Sequence, residues 1–354
     1  MINVHKQECN RVLSCINKAS QGGENERTVD SKTKNSKSRA QIETLARRAF
    51  GGLGLAAGEQ ALRELKDGWF NAAYALVLAD GREAILKIAP PPGAEVMGYE
   101  RDLMATEVAT MRRVRANPAI PVPAVLFHDD SLEICDSPWF VMERIAGDVL
   151  DHVRKALAPD VAAAIDRELG AILRELNGFR GEWFGYPGSP ALRAPTWREA
   201  FVAIVESVLA DAARKDVGFA WPAARIRAIV DAHAPSLDEV REPRLVHWDS
   251  WDSNVFVSGG HVRGLIDFER ALWADPLMEA LFRGLTWSGI TDAMRGYGKD
   301  SFTDDELRRC WLYTLHLGLV METECAYRAY PGDEIRSGAR RLVVQALEWL
   351  AQRA

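Results

Sequence analysis

The chain has 354 residues, 47% of them hydrophobic and 27% charged, with a formal net charge of −6. That length can bury one large core or two modest ones, and the acidic balance disfavours a nucleic-acid binder, which displays a basic field. No stretch approaches 18 uncharged apolar residues, so no membrane span is predicted, and Lys6, Glu8 and Arg11 interrupt any secretory apolar segment.

Five cysteines (Cys9, Cys15, Cys135, Cys310, Cys325) are odd in number and scattered. They form neither a disulfide framework nor a zinc spacing, so a reducing cytoplasm is expected. Residues 1–40 hold five of the ten lysines and five of the nine asparagines. Their eight basic and four acidic residues give +4, leaving −10 for the remainder. This segment is expected to be a disordered extension, because its polar run cannot bury enough surface to order itself.

Residues 40–50 show helical periodicity and stop at Gly51-Gly52. Strand-like runs follow at 61–66, 74–78 and 83–88, the last two joined by Asp80-Gly81, a hairpin signal. A helix is predicted over 98–114, then strands at 125–127 and 139–142. This gives a small antiparallel lobe over 41–147 with one inserted helix. From 148 to 354 the pattern is mainly helical, with segments near 159–177, 196–214, 222–233, 276–288, 304–329 and 333–352. Thr196-x-x-Glu199 and Thr303-x-x-Glu306 read as capping boxes. One hairpin interrupts the helices, 255–257 and 261–266, turned by Ser258-Gly259-Gly260.

The chemistry concentrates around that hairpin. Val246-His247-Trp248-Asp249-Ser250-Trp251-Asp252-Ser253-Asn254 precedes it, and Leu265-Ile266-Asp267-Phe268-Glu269 closes it. A hairpin brings its outer ends together, so Asn254 and Asp267 are expected to share a cation. Hard oxygen ligands with room for water and phosphate describe a Mg²⁺ site. Asp249, on the loop, is placed to orient a substrate hydroxyl and accept its proton.

The pattern His-x-Asp-x4-Asn, hairpin, Ile-Asp-Phe resembles the catalytic and metal loops of protein kinases. It is still more similar to the aminoglycoside phosphotransferases, including the 13-residue step from Asn254 to Asp267 and the continuation Ala274-Asp275-Pro276. The resemblance covers residues 41–354. It implies an α+β, two-lobed, protein-kinase-like fold and transfer of the γ-phosphate of ATP (or GTP) with Mg²⁺. It also makes Lys87, in Ala84-Ile85-Leu86-Lys87-Ile88, the holder of the α- and β-phosphates. Glu107 or Glu100, seven apart on the predicted helix, would pair with it, and Glu107 fits the family better. Gly68 falls where a phosphate-covering loop belongs, and the segment around Glu143 and Ile145 where a hinge would meet adenine. The chain has no Walker-type Gly-x4-Gly-Lys-Ser/Thr.

His247 is expected to brace the catalytic loop, Asp275 to cap the next helix, and Trp248 and Trp251 to border the substrate. Trp248 departs from the glycine that many antibiotic kinases keep there, and its ring is expected to reshape the acceptor site. The implied acceptor is a hydroxylated and cationic small molecule, an aminoglycoside or similar antibiotic. Residues 276–354 nevertheless hold eleven acidic and ten basic side chains, so counting reveals no acidic bowl. The alternatives are a kinase for an amino alcohol or sugar, a non-catalytic kinase-like binding module, and a metal-dependent hydrolase.

Overall fold

The computed structural model describes residues 33–66, 68, 70–330 and 333–354. The expected disordered extension therefore lies outside the described residues as far as position 32, and it is corrected for 33–40. Thr33 and Asn35 are buried there. The Asn35 amide donates to Ser137 at 2.8 Å, and the Lys37 backbone N–H donates to the Tyr74 hydroxyl at 2.8 Å. Polar side chains anchor this segment to the first lobe, a signal that hydropathy does not carry.

Helix α1 (Arg39–Ala49) starts at a Ser38–Gln41 capping box and buries Ile42, Leu45 and Ala46. These pack on the outer face of an antiparallel sheet of β1 (Leu62–Leu65), β2 (Ala72–Val77), β3 (Glu83–Ile88), β4 (Val125–Asp129) and β5 (Trp139–Glu143). The strand order is β1-β2-β3-β5-β4. Successive side chains on a strand face opposite ways. Tyr74, Leu76, Ala84, Leu86 and Ile88 thus join the outer core, while Ala73, Ala75, Ile85 and Lys87 face the cleft between the lobes. Asp80-Gly81 turns the β2–β3 hairpin, with Gly81 at φ +86°.

Helix α2 (Leu103–Val114) begins five residues later than expected. Asp102 at φ +48° blocks an earlier start, and Gly98 is tied elsewhere, its N–H donating to Asp211 at 2.8 Å. Glu100 therefore precedes the helix and does not share a face with Glu107.

The second lobe opens with β6 (Asp148–Val149), α3 (Leu150–Val153) and α4 (Pro159–Leu176), then α5 (Trp197–Arg214) and α6 (Ala223–His233). Strand β7 (Arg244–Val246) leads into the loop that carries Asp249. The hairpin β8 (Val255–Ser258) and β9 (His261–Leu265) follows, and β10 (Leu272–Ala274) returns to β7. The predicted 276–288 helix is broken into a 3₁₀ turn (Pro276–Met278), α7 (Ala280–Arg283) and α8 (Leu285–Ser288). Helices α9 (Asp292–Tyr297), α10 (Asp304–Arg328) and α11 (Glu334–Ala351) complete the lobe. Thr303 and Glu306 form the reciprocal capping box, whereas Thr196 supplies only the forward half, to the Glu199 N–H. Among the described residues no helix is long and apolar enough to cross a membrane.

The lobes meet at Gly147, whose φ of +135° favours glycine. An added Cβ there would lie 2.6 Å from the Val257 carbonyl oxygen. Gly147→Ala is expected to cost about 1–3 kcal/mol in strain alone, read as a lower denaturation midpoint. An unchanged midpoint would show that the junction tolerates a side chain.

Candidate active site

The cleft between the lobes has a volume of about 600 Å³, and Lys87, Asp249, Asn254 and Asp267 all line it. Gly68, Glu143 and Ile145 line it too; Asp67 and Trp69 of the same loop lie outside the described residues.

Lys87 sits at the centre. Its Nζ donates to Glu107 Oε1 at 2.7 Å and Oε2 at 2.9 Å, and to Asp267 Oδ1 at 2.8 Å. Glu107 lies within the apolar stripe Met104, Val108 and Met111 of α2, and that stripe buries it completely. Burial pushes Lys87 towards neutrality, but Asp267, Glu107 and Glu269 outweigh it and raise its pKa above the ordinary lysine value. Burial pushes Glu107 up to about 7, with Lys87 opposing. For Asp267 burial again acts upward, and Lys87 reverses it to a net lowering. Glu269 is raised well above the usual carboxylate range by burial and by Asp267. It accepts a 2.6 Å hydrogen bond from Asn71.

Oxygens of Glu107, Asp267 and Glu269 lie within 4.8 Å of one another. Crowding that drives one carboxylate to hold a proton is a load that a divalent cation would relieve, and the donors are hard oxygens, so the residues fit Mg²⁺. Asn254 is close by: its backbone carbonyl accepts from Ile266 N at 3.1 Å, and its amide Nδ2 donates to the Asp249 carbonyl at 2.8 Å.

The loop carrying Asp249 is held from beneath. His247 Nδ1 accepts from Asp249 N at 3.2 Å, so the proton belongs on Nε2, 3.0 Å from the Ile266 carbonyl. Burial pushes His247 down to about 4, so it braces the loop as a neutral ring. Glu279 accepts from His247 N at 2.9 Å and from the Asn177 amide at 3.0 Å. Arg283 Nη2 donates to the Trp248 carbonyl at 2.5 Å, and its guanidinium lies 4.1 Å from the Trp248 ring centroid.

Trp248 adopts φ +69°, the conformation that explains a glycine preference there. The residue is only 2% exposed, so it lines the cleft flush with its neighbours and does not stand out into it. Trp251 borders the cleft as expected. Asp252 is ion-paired to Arg154 at 2.8 Å, and Arg154 also holds Asp166 at 2.8 Å. Asp275 caps the 276–278 turn, accepting from Leu277 N at 3.1 Å, and takes Arg309 at 2.9 Å and Tyr313 at 2.7 Å. Asp249 has a raised pKa, from burial first, with Arg270 opposing.

Arg270, Arg283 and Arg328 escaped the sequence reading, as did the contacts that Glu269 and Glu279 make. A usable signal existed for some. Glu279 and Arg283 stand four apart in the apolar run 276–283, and Glu324 and Arg328 continue a stripe from Leu317 and Met321 at steps of four, three and four. Charges inside an apolar helical stripe are either buried partners or site residues. Glu100 pairs with Arg328 and not with Lys87.

A bilobal molecule with a Lys–Glu pair in the small lobe, and with Asp, Asn and Asp around a hairpin in the large one, has the architecture of a kinase-like phosphotransferase. Residues 61–302, well over half of the chain, match the phosphotransferase enzyme family, and the chain belongs to that family. The aminoglycoside phosphotransferase APH(4)-Ia, solved with AMP-PNP and hygromycin B, is similar in fold, with TM-score 0.60 and 18% identity. That match covers 87% of this chain and 98% of the other. A protein described as a fructosamine-3-kinase from Thermobifida fusca gives TM-score 0.60 and 20% identity, over 86% and 99%. APH(2")-IIa, solved with streptomycin and ATP, gives 0.56 and 14%, over 87% and 97%. Two subtelomeric hrmA-associated cluster proteins of Aspergillus fumigatus are 30% identical over 125 residues, 35% of this chain. That segment spans 24% of each fungal protein.

Burial raises Glu279 from 4.5 to about 7. A carboxyl raised in the folded state stabilises most below its ordinary value, and that contribution is lost as pH rises through about 7. The unfolding free energy from urea titrations is therefore expected to fall between pH 5.5 and 8, by an amount on the order of 1–3 kcal/mol from this group. Glu279→Gln, which keeps an accepting oxygen, should flatten the fall. An equal slope in both proteins would exclude Glu279 as its source.

Proposed function

We propose that the chain transfers the γ-phosphoryl of ATP, with Mg²⁺, to a hydroxyl of a small hydroxylated acceptor. The observation that carries this reading is Lys87, held in hydrogen-bond contact with both Glu107 and Asp267 in the cleft that Asp249 and Asn254 also line. Lys87 would hold the α- and β-phosphates, and Glu107 would fix its direction. The backbone of 143–145 would receive the base, with Gly68 covering the phosphates. Asn254 and Asp267, with Glu269 beside them, would hold the metal, which when bound neutralises charge on the phosphate oxygens.

Asp249 accepts a hydrogen bond from the acceptor hydroxyl and points its oxygen at the γ-phosphorus. The acceptor O–P bond forms as the bond to the β–γ bridging oxygen breaks. ADP leaves, and the hydroxyl proton passes to Asp249 and then to solvent. A carboxyl whose pKa lies above the ordinary aspartate value is the better proton acceptor for this step. Positioning and electrostatics supply the rate, with no covalent intermediate.

The ligands of two fold neighbours, hygromycin B and streptomycin, support an aminoglycoside or similar antibiotic as acceptor. The third neighbour supports a sugar derivative. A hydrolase would not need a lysine wedged between carboxylates. A binding module would not need Asp249 on a braced loop.

Asp249→Asn is expected to lower acceptor-dependent ADP formation about 10²–10⁴-fold while nucleotide affinity stays within about twofold. Turnover within a few fold of wild type would remove Asp249 from the reaction.

A further inference from the structure

The acceptor side of the cleft is walled by one face of α10 (Leu317, Met321, Glu324, Arg328), with Trp248 and Arg270 from the catalytic segment. Every charge on this wall is already met by its neighbour. Glu324 Oε1 accepts from Arg270 and, at 3.4 Å, from the Tyr99 hydroxyl, and it lies 3.6 Å from Arg328 Nη2. Glu100, behind it, pairs with Arg328 and lies 3.9 Å from Arg270. Two arginines and two glutamates sum to zero, and both glutamates are buried. A polyammonium ligand would have to take a carboxylate from a buried arginine and strand that cation.

Among the described residues, one group on the wall is unsatisfied, and it is a donor. Arg328 is 2% exposed, and its Nη1 has no hydrogen-bond partner among the described residues. The guanidinium lies 4.5 Å from the ring centroid of Phe70, in the loop at the phosphate end of the cleft. An orphaned N–H needs an oxygen; ammonium groups bring only donors. Apart from Asp249, Ser253 and Tyr330, the remaining lining here (Leu317, Met321, Phe70 and the two tryptophans) is apolar. The carboxylates Asp148 and Asp151 lie at the hinge end of the cleft, directly after Gly147.

We propose that the acceptor is an uncharged, hydroxylated molecule with an apolar face, laid on the Leu317–Met321 stripe and hydrogen-bonded through an oxygen to Arg328, and that polycations are poor acceptors. This rests on the phosphotransfer reading above. Arg328 acts as a specificity residue for the acceptor.

The test uses the full chain with Mg-ATP and three acceptor sets: neutral glycosides with an alkyl or aryl group, aminoglycosides, and sugar acids. ADP release is expected to rise at least tenfold over the acceptor-free rate with a neutral glycoside, and to stay at that rate with aminoglycosides. Arg328→Met should raise the acceptor KM about tenfold and leave the ATP KM within twofold. Met321→Glu, which adds an unpaired carboxylate to the same stripe without disturbing the buried pairs, should shift the preference towards aminoglycosides. Faster turnover with aminoglycosides or sugar acids, or an unchanged acceptor KM in Arg328→Met, would overturn the inference and leave the kinase reading standing. Stimulation by none of the sets, with Mg-ATP still bound, would also overturn it. Absence of Mg-ATP binding would remove the phosphotransfer reading itself.

Discussion

The ammonium of Lys87 is shared between a carboxylate of the small lobe and one of the large lobe. Glu107 and Asp267 both contact Nζ within 3 Å. Glu107, fully buried, could not remain ionised without the lysine, and the buried lysine could not stay charged without its carboxylates. The cleft therefore exists as one electrostatic unit, and the orientation of the sheet against the hairpin follows from it. Phosphate oxygens entering the cleft meet a cation already fixed in direction, which is the preorganisation that phosphoryl transfer rewards.

Beneath that unit, the catalytic loop is stiffened by groups that burial keeps close to neutral. His247, Glu279 and the Trp248 carbonyl form a chain of hydrogen bonds ending on Arg283. The left-handed backbone at Trp248 and Asp267, both at φ +69°, places strain on either side of the reacting centre. The aromatic floor and the buried guanidiniums of Arg270 and Arg283 offset it. Asp249 is then free to answer to its substrate, with Arg270 nearby limiting the rise of its pKa.

Much of this was legible in the sequence because it is local. Lys87 stood out as the one charge in the apolar run Ala84–Ile88, in register with the downstream motif of the resemblance, and it lines the cleft. Asp80-Gly81 and Ser258-Gly259-Gly260 announced their hairpins, and the step from Asn254 to Asp267 announced that those two residues line one cleft. What failed was non-local. The seven-residue spacing of Glu100 and Glu107 suggested one helical face, but Asp102 in a left-handed conformation starts the helix after Glu100. Glu100 thereby becomes a partner of Arg328, 228 residues away. The segment 33–40 looked too polar to order, and the amide and ammonium contacts that dock it reach more than 90 residues along the chain. The charge-balanced acceptor wall was invisible for the same reason, since counting charges does not show which are paired.

The central claim is that Lys87, Asn254 and Asp267 converge on one nucleotide, and a crystal structure of the chain with Mg-AMP-PNP tests it most directly. The account predicts Lys87 Nζ bonded to α- and β-phosphate oxygens while still touching Glu107, with side-chain oxygens of Asn254 and Asp267 on the same metal ion. A nucleotide bound outside this cleft, or a metal ion held without Asp267, would contradict it.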